Sequence, residues 1–257
     1  MTWSFSRISA FKDCPYRFLL HYIFSVDEED LFFASYGSFV HRLLASFYNG
    51  LLTASECLAK YITDFRSEVS GRPPSEQIYR NYFTQGLRYF STLPEVSETV
   101  IGVEQYVTFT VGGYPFQGFV DLITKDANGL VRITDHKSRD LKTRSKRALH
   151  GKGETETDRT LNTYLRQLYL YNEAIKSSFH ANASLLTFNC FRTGTVITEP
   201  YREEAAKEAK DWAVKTIEKI NSERDWRPKL NPFTCKHICG VHRECEYYQL
   251  SGGRIET

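Results

Sequence analysis

Two carboxylates and an ammonium lie in the middle of the chain: Asp121, then Asp135 and Lys137 on either side of His136. Two carboxylates drawn into one partly buried site repel each other unless a cation sits between them. Hard oxygen donors favour Mg²⁺ or Mn²⁺ over zinc. An adjacent ammonium could polarise an attacking water or steady a five-coordinate phosphate. An Asp-x-Lys triplet alone is a weak signal, because it recurs by chance. Glu104, on a neighbouring segment, is either a further acidic contributor or a simple surface residue.

Three more polar groups bear on this set. A lone histidine such as His41 on a helix is more often a packing residue than a ligand. Gly37, one turn earlier on the same face, shifts that balance, because a missing side chain lets another backbone approach. Tyr164, Gln167 and Tyr171 recur at spacings of three and four. They read either as an aromatic stripe facing the core or as part of a polar site, since a buried glutamine needs partners. From Lys137 to Lys152 the chain carries Lys137, Arg139, Lys142, Arg144, Lys146, Arg147 and Lys152 against Asp140 alone. That run is either a solvated loop or a mobile segment that grips phosphates. Its start at Lys137 favours the second reading.

Six cysteines in a chain of this length read poorly as disulfide staples if the protein is cytosolic. Cys57 and Cys190 sit among apolar residues and read as buried packing groups. Cys14 stands near the start, and Cys235, Cys239 and Cys245 crowd the end.

The elements that must position these residues follow from periodicity. Ser6 to about Phe24 fits a helix turned near Cys14-Pro15. Residues 34–52 form a stronger helix, with Phe39, Leu43, Phe47 and Leu51 at helical spacing. Helices follow at about 54–67 and 75–90, separated by Arg72-Pro73-Pro74. Strands then take over at 101–111, 115–124 and 130–137, joined by Gly112-Gly113 and by the turn 125–129, as an antiparallel meander. If the second hairpin is symmetric about its turn, Asp121 lies opposite Ile133. Asp121, Asp135 and Lys137 then project together. A polar loop covers about 139–159, a helix about 161–176, and strands about 184–191 and 195–199. An amphipathic helix spans about 203–220, with Ala206, Ala209, Ala213, Ile217 and Ile220 on one face. The tail from Trp226 is irregular. This is a mixed α/β layout.

In order along the chain these pieces resemble a known family. The start reads SRISAFKDCPYRF, with Ser6, Ile8, Phe11, Cys14, Pro15 and Phe18 on a recurrent pattern. Gly37-x-x-x-His41, Gly118-x-x-Asp121, Asp135-x-Lys137 and Gln167-x-x-x-Tyr171 follow. The series is similar to the RecB-like exonuclease branch of the PD-(D/E)XK nucleases, including the AddB nuclease domain and CRISPR-associated RecB-like exonucleases. The resemblance implies a restriction-endonuclease-like α/β core, with a mixed sheet flanked by helices. It implies that His41, Asp121 and Asp135 ligate Mg²⁺ or Mn²⁺, with the His136 carbonyl helping. Lys137 would be the catalytic lysine, and Gln167 and Tyr171 would support the site and contact DNA. Arg139, Lys142, Arg144, Lys146, Arg147 and Tyr164 are the expected DNA-holding residues.

Cluster-bearing members join one early cysteine to three late ones, which implies a [4Fe–4S] cluster on Cys14, Cys235, Cys239 and Cys245. A four-cysteine zinc site is the physical competitor. The family often ends in C-x₂-C-x₅-C, whereas this chain has C-x₃-C-x₅-C. That departure leaves room for zinc, with His237 or His242 as a ligand.

The expected organisation is one nuclease domain over 1–257: a helical region 1–95, a core 96–222, and a cysteine-rich tail 223–257 that closes onto Cys14. The expected partners are DNA ends or single strands, with recombination, helicase or CRISPR-adaptation proteins alongside. The alternative reading is a catalytically silent DNA-binding or assembly subunit with structural zinc. A net charge of +2 is too small by itself to mark a nucleic-acid binder. No apolar run reaches the roughly 18 residues of a membrane span. The amino terminus is polar where a signal peptide is apolar, so the expected location is cytoplasmic.

Overall fold

The computed structural model describes residues 1–179 and 182–252; the last five residues of the tail lie outside them. Five strands form one sheet in the order β1-β2-β3-β4-β5. β1 (Thr99–Val111), β2 (Tyr114–Lys125) and β3 (Val131–Lys137) make an antiparallel meander. β4 (Leu185–Cys190) runs parallel to β3, and β5 (Thr195–Pro200) pairs antiparallel with β4. A parallel neighbour needs a crossover, and helix α7 (Glu156–Phe179) lies between β3 and β4 in the chain. β3 is central and buried from Ile133 through His136, as a strand covered on both faces must be.

The first hairpin turns at Gly112 and Gly113, both at positive φ (57° and 85°), the backbone that a tight two-residue hairpin requires. The second turns over residues 126–130. There the Asp126 carboxylate accepts the N–H groups of Asn128 (2.9 Å) and Leu130 (2.8 Å).

The helical half begins with α1 (Phe5–Asp13) and α2 (Pro15–Phe18), which runs on into one π-helical turn over Leu19–Ile23. Cys14 separates α1 from α2 in extended backbone (φ −156°, ψ 108°), the conformation a following proline imposes. Helices α3 (Phe32–Tyr48), α4 (Ala54–Glu68) and α5 (Glu76–Ser91) bury Phe39, Leu43, Tyr61, Phe65 and Phe90 in one aromatic cluster. Phe191, just after β4, joins that cluster and ties it to the sheet. A second core lies between the sheet and α7, around Val120, Ile133, Leu165, Leu168 and Phe188. A third joins Trp3, Ile8, Phe11 and Phe18 to Phe116, Leu170 and Ile217, the last on α8 (Glu203–Ser222).

The basic segment after Lys137 is tied at Ser145 to the start of the next long helix, a contact its reading as a free loop did not anticipate. It contains one helical turn, α6 (Lys146–Leu149), and ends where α7 begins at Glu156, earlier than periodicity placed it. The cause is Asp158, which is fully buried. Its carboxylate accepts from Ser145 N (2.7 Å), Ser145 Oγ (2.6 Å), Thr155 N (2.8 Å) and Thr155 Oγ1 (2.6 Å). Thr155 Oγ1 in turn accepts from Asp158 N, so Thr155-x-x-Asp158 is a reciprocal cap of the α7 start. Hydrogen bonds from Ser145 and Thr155 hold the Asp158 carboxyl well below the usual range.

Candidate active site

Register brings the two aspartates together. Leu122 pairs with Thr134 and Ile123 with Ile133, so continuing the ladder sets Asp121 opposite Asp135, not Ile133. The offset arises because the Asp126 turn takes in Leu130, so the hairpin closes at Lys125 and Val131. An offset of two residues keeps each side chain on its own face, so the convergence survives it. His41, Asp121, Asp135, His136, Lys137, Gln167 and Tyr171 all line one cavity of about 430 Å³.

α3 delivers His41 to this cavity. Its Nε2 lies 3.0 Å from the His136 carbonyl oxygen. A carbonyl can only accept, so Nε2 carries the hydrogen. Nδ1 then faces Asp121 Oδ2 (3.7 Å) and Glu104 Oε1 (3.6 Å). A backbone carbonyl fixing one ring nitrogen while the other is aimed at carboxylates is how a metal-ligating histidine is oriented. The His136 carbonyl thus orients His41 through a direct hydrogen bond. Gly37 does not act as expected: a Cβ there would meet nothing within 4 Å, so no backbone approaches it.

Glu104 is the residue that periodicity undervalued. Among the described residues, His41, Glu104 and Asp121 are the one group of three histidine, cysteine or acidic side chains whose ligand atoms all lie within 4.8 Å of one another. Glu104 stands on β1 between the pairs Val103–Leu122 and Gln105–Val120. Its φ is +46°, a left-handed conformation that costs a side-chain-bearing residue about 1–3 kcal/mol. The strain coincides with a break in alternation on β2, where Val120 and Ile123, three residues apart, enter the same core cluster. Strand irregularities of this kind re-aim side chains beside active sites. A sequence holds no direct sign of a single left-handed glutamate.

The electrostatics are those of acids crowded together. Burial, then the Asp135 charge, pushes the Asp121 carboxyl up to about 7, against the pull of His41 and the His136 N–H (2.7 Å from Asp121 Oδ2). Burial would lower the His41 imidazole, but Glu104, Asp121 and Asp135 outweigh it and raise it. Burial keeps the His136 ring neutral, lowered to about 3. That ring accepts from Asn189 Nδ2 (3.0 Å) and stacks on Tyr48.

Lys137 Nζ lies 2.7 Å from Asp135 Oδ2 and donates to Gln167 Oε1 at 2.9 Å. The ammonium is out of line for a hydrogen bond to Asp135 Oδ2, which is buried with no hydrogen-bond partner. Gln167 Nε2 donates to Tyr171 Oη at 3.3 Å. Tyr171 in turn fills the space over Gly118, where a Cβ would come within 2.6 Å of its ring. Two motifs thus meet in one contact: Gly118 admits the tyrosine that carries the glutamine that holds the lysine. Two largely buried carboxylates beside a third, with a histidine nitrogen aimed at them, are a donor set that fits a divalent cation of the Mg²⁺ or Mn²⁺ kind.

The expected DNA-holding residues divide. Arg139 hydrogen-bonds the Tyr164 hydroxyl, and both Arg139 and Lys137 lie 5.6 Å from the Tyr164 ring centroid. Lys142 pairs with Asp140 at 2.6 Å, and Lys146 and Arg147 are exposed. Arg144 is corrected: it is nearly buried, paired with Glu199 (2.8 Å) and donating to Asn162 (3.0 Å). Its charge is committed inside the fold. A cavity of about 380 Å³ on another part of the sheet, lined by Tyr89, Glu98 and Arg132, lacks the paired acids; Glu98 binds Arg132 directly.

At the other end of the molecule Cys14, Cys235, Cys239 and Cys245 line one small apolar cavity. α9 (Pro232–His237) carries Cys235, and Cys239 follows just past its end, where its N–H donates to the Thr234 carbonyl (2.9 Å). His242 lines the same cavity, with its Nδ1 2.9 Å from the Cys239 carbonyl, whereas His237 lines a different one beside Glu29 and Arg72. Cys57 and Cys190 are fully buried packing groups.

Comparison with known proteins places the fold and the family. In fold the chain is similar to a protein named "Putative exonuclease" from Eubacterium rectale, with a TM-score of 0.50 at 13% identity, covering 100% of this chain and 89% of that one. A second solved structure, SSO0001, aligns at a TM-score of 0.33 and 20% identity over 91% of this chain and 95% of that one. No curated protein sequence matches. The family described as the PD-(D/E)XK nuclease superfamily matches residues 2–246, a span that includes both aspartates, the lysine and all six cysteines. No helix among the described residues is long and apolar enough to cross a membrane. With nearly its whole length matched, this chain belongs to the PD-(D/E)XK nuclease superfamily.

Proposed function

We propose that the chain is a RecB-like DNA exonuclease that uses Mg²⁺ or Mn²⁺ to hydrolyse phosphodiester bonds at DNA ends or in single strands, in recombination, repair or CRISPR-type processing. The observation that carries this reading is the convergence of His41, Asp121, Asp135 and Lys137 on one cavity. His41, Asp121 and Asp135 hold the cation, and Glu104 is placed to join them. The cation supplies neutralisation of the charge that develops on the phosphate. Lys137 gives one N–H to Gln167 and keeps others for the attacking water or a phosphate oxygen. Tyr164 and Arg139 flank Lys137, and Lys142, Lys146 and Arg147 extend a basic rim that would follow the strand. A single-turnover assay with Mg²⁺ or Mn²⁺ on end-labelled DNA tests the reading. Asp135→Ala and Lys137→Ala each lose roughly 100-fold or more in rate; cleavage at the wild-type rate by either variant refutes it.

The same reading places a [4Fe–4S] cluster on Cys14, Cys235, Cys239 and Cys245, which line one small cavity, with a four-cysteine zinc site as its physical competitor. Lys229 N–H, 3.5 Å from Cys14 Sγ, is a donor of the kind that tunes cluster sulfurs.

A further inference from the structure

We propose that Tyr106 and Phe119 form a stacking platform for an unpaired nucleobase at the mouth of the catalytic cavity, so that DNA enters the site as a single strand or a frayed end. The proposal rests on the nuclease reading above and narrows its substrate.

Tyr106 and Phe119 are direct cross-strand partners on β1 and β2, and both line the cavity that holds Asp121, Asp135 and Lys137. Phe119 is 55% exposed and Tyr106 49% exposed. Burying such a ring is worth about 1.5–3 kcal/mol, so leaving two of them in water beside a polar cavity forgoes stability. The same hairpin can bury aromatic pairs. Three residues along, the next aromatic pair, Phe109 and Phe116, stacks at 5.4 Å and 22°, with Phe116 only 1% exposed. The Tyr106–Phe119 rings sit instead 5.3 Å apart and 55° off parallel, which leaves ring face open. Tyr106 Oη donates to Gln117 Oε1 at 3.2 Å, which fixes that ring while its face stays free.

Phe119 is two residues from Asp121 along β2, about 7 Å at the usual strand rise. A base bonded next to a phosphate in the acid–lysine cavity is therefore within reach of the platform. Inside a duplex each base is stacked on both sides and offers no face. Only an unpaired or extruded base can lie on an aromatic ring, and stacking of this kind tolerates any sequence. A protein partner would gain little here, since two rings make a small patch against an acidic cavity.

The test compares the wild-type chain with Phe119→Ala, Tyr106→Ala and the double variant, in Mg²⁺ or Mn²⁺. Substrates are single-stranded oligonucleotides, a fully paired duplex, and single strands carrying abasic residues. The alanine variants raise KM for the single strand by about 5- to 100-fold, and abasic residues do the same to the wild type. Phe119→Trp restores affinity, and Phe24→Ala, an exposed aromatic far along the chain, leaves it alone. A 2-aminopurine base in the oligonucleotide changes fluorescence on binding to the wild type but not to the double variant. If the wild type cleaves DNA while the alanine variants match it in KM and fluorescence, the platform is refuted and the nuclease stands. If the variants weaken single strand and duplex equally, the preference for an unpaired base is refuted. If the wild type cleaves no DNA with either metal, the nuclease reading fails and the platform falls with it.

Discussion

At Asp121 three influences meet: burial and Asp135 push its carboxyl up to about 7, while His41 pulls it back. In the unfolded chain that carboxyl titrates near its ordinary value of 3.8. Metal-free folded protein therefore binds the extra proton between about pH 4 and 7, and it loses stability as pH rises through that window. Asp121→Asn removes the charge and keeps an oxygen for the His136 N–H. In EDTA, urea unfolding should find the variant more stable relative to wild type at pH 8 than at pH 5, by about 1–4 kcal/mol. No difference between the two pH values would show that the acids do not repel. Glu104 poses a second question at this scale, because its backbone strain and its carboxylate can be separated. Glu104→Gly relieves the left-handed φ, so the metal-free variant keeps or gains stability. If the carboxylate is a ligand, calorimetric titration with Mn²⁺ finds affinity reduced tenfold or more; unchanged affinity makes Glu104 a neighbour only.

The contact between β2 and α7 rests on Gly118, whose missing side chain is replaced by the Tyr171 ring. Gly118→Ala overpacks that contact, at a cost of about 1–3 kcal/mol. The consequence reaches further than stability, because Tyr171 accepts from Gln167 and Gln167 holds Lys137. Denaturation should show the moderate loss, and single-turnover cleavage a fall out of proportion to the fraction unfolded. Gly118→Ala combined with Tyr171→Leu makes room again. Stability should return in the double variant while the rate does not, since the phenol that braces Gln167 is gone. Recovery of both would mean that Tyr171 only fills space.

Across the whole molecule, the two ends of the chain close on each other. Trp226 packs on Phe11 and Phe18, Tyr16 donates to Glu246 at 2.7 Å, and Arg243 pairs with Glu29 at 2.8 Å. The cysteines sit inside this seam, so a cluster bound there adds its binding free energy to folding. Anaerobically purified protein should absorb broadly near ~400 nm and contain iron rather than zinc. Cys14→Ser should lose that absorption, melt ~5 °C or more lower, and become open to proteolysis after Trp226. Cys57→Ala, in the packed helical cluster, should melt lower but keep its colour. A colourless wild-type protein with one zinc per chain would overturn the cluster.

The sequence alone determined what depends on local rules. Helix and strand order followed from periodicity, the glycine pair set the first hairpin, and Cys14-Pro15 broke the first helix, because each is a property of neighbours in the chain. Asp121, Asp135 and Lys137 could be placed together for the same reason, since strand alternation survives an even error in register. The Thr155-x-x-Asp158 cap was also written locally, though its effect on the basic loop depends on Ser145 reaching back across the fold. Other features waited for the tertiary structure. Which nitrogen of His41 faces the acids depends on the carbonyl of a residue 95 positions away. The burial of Arg144 depends on Glu199, and the role of Gly118 on Tyr171. Glu104 is aimed by a strained backbone angle that no residue spacing encodes. Periodicity reports which face a side chain occupies; only packing between distant segments decides what it meets there.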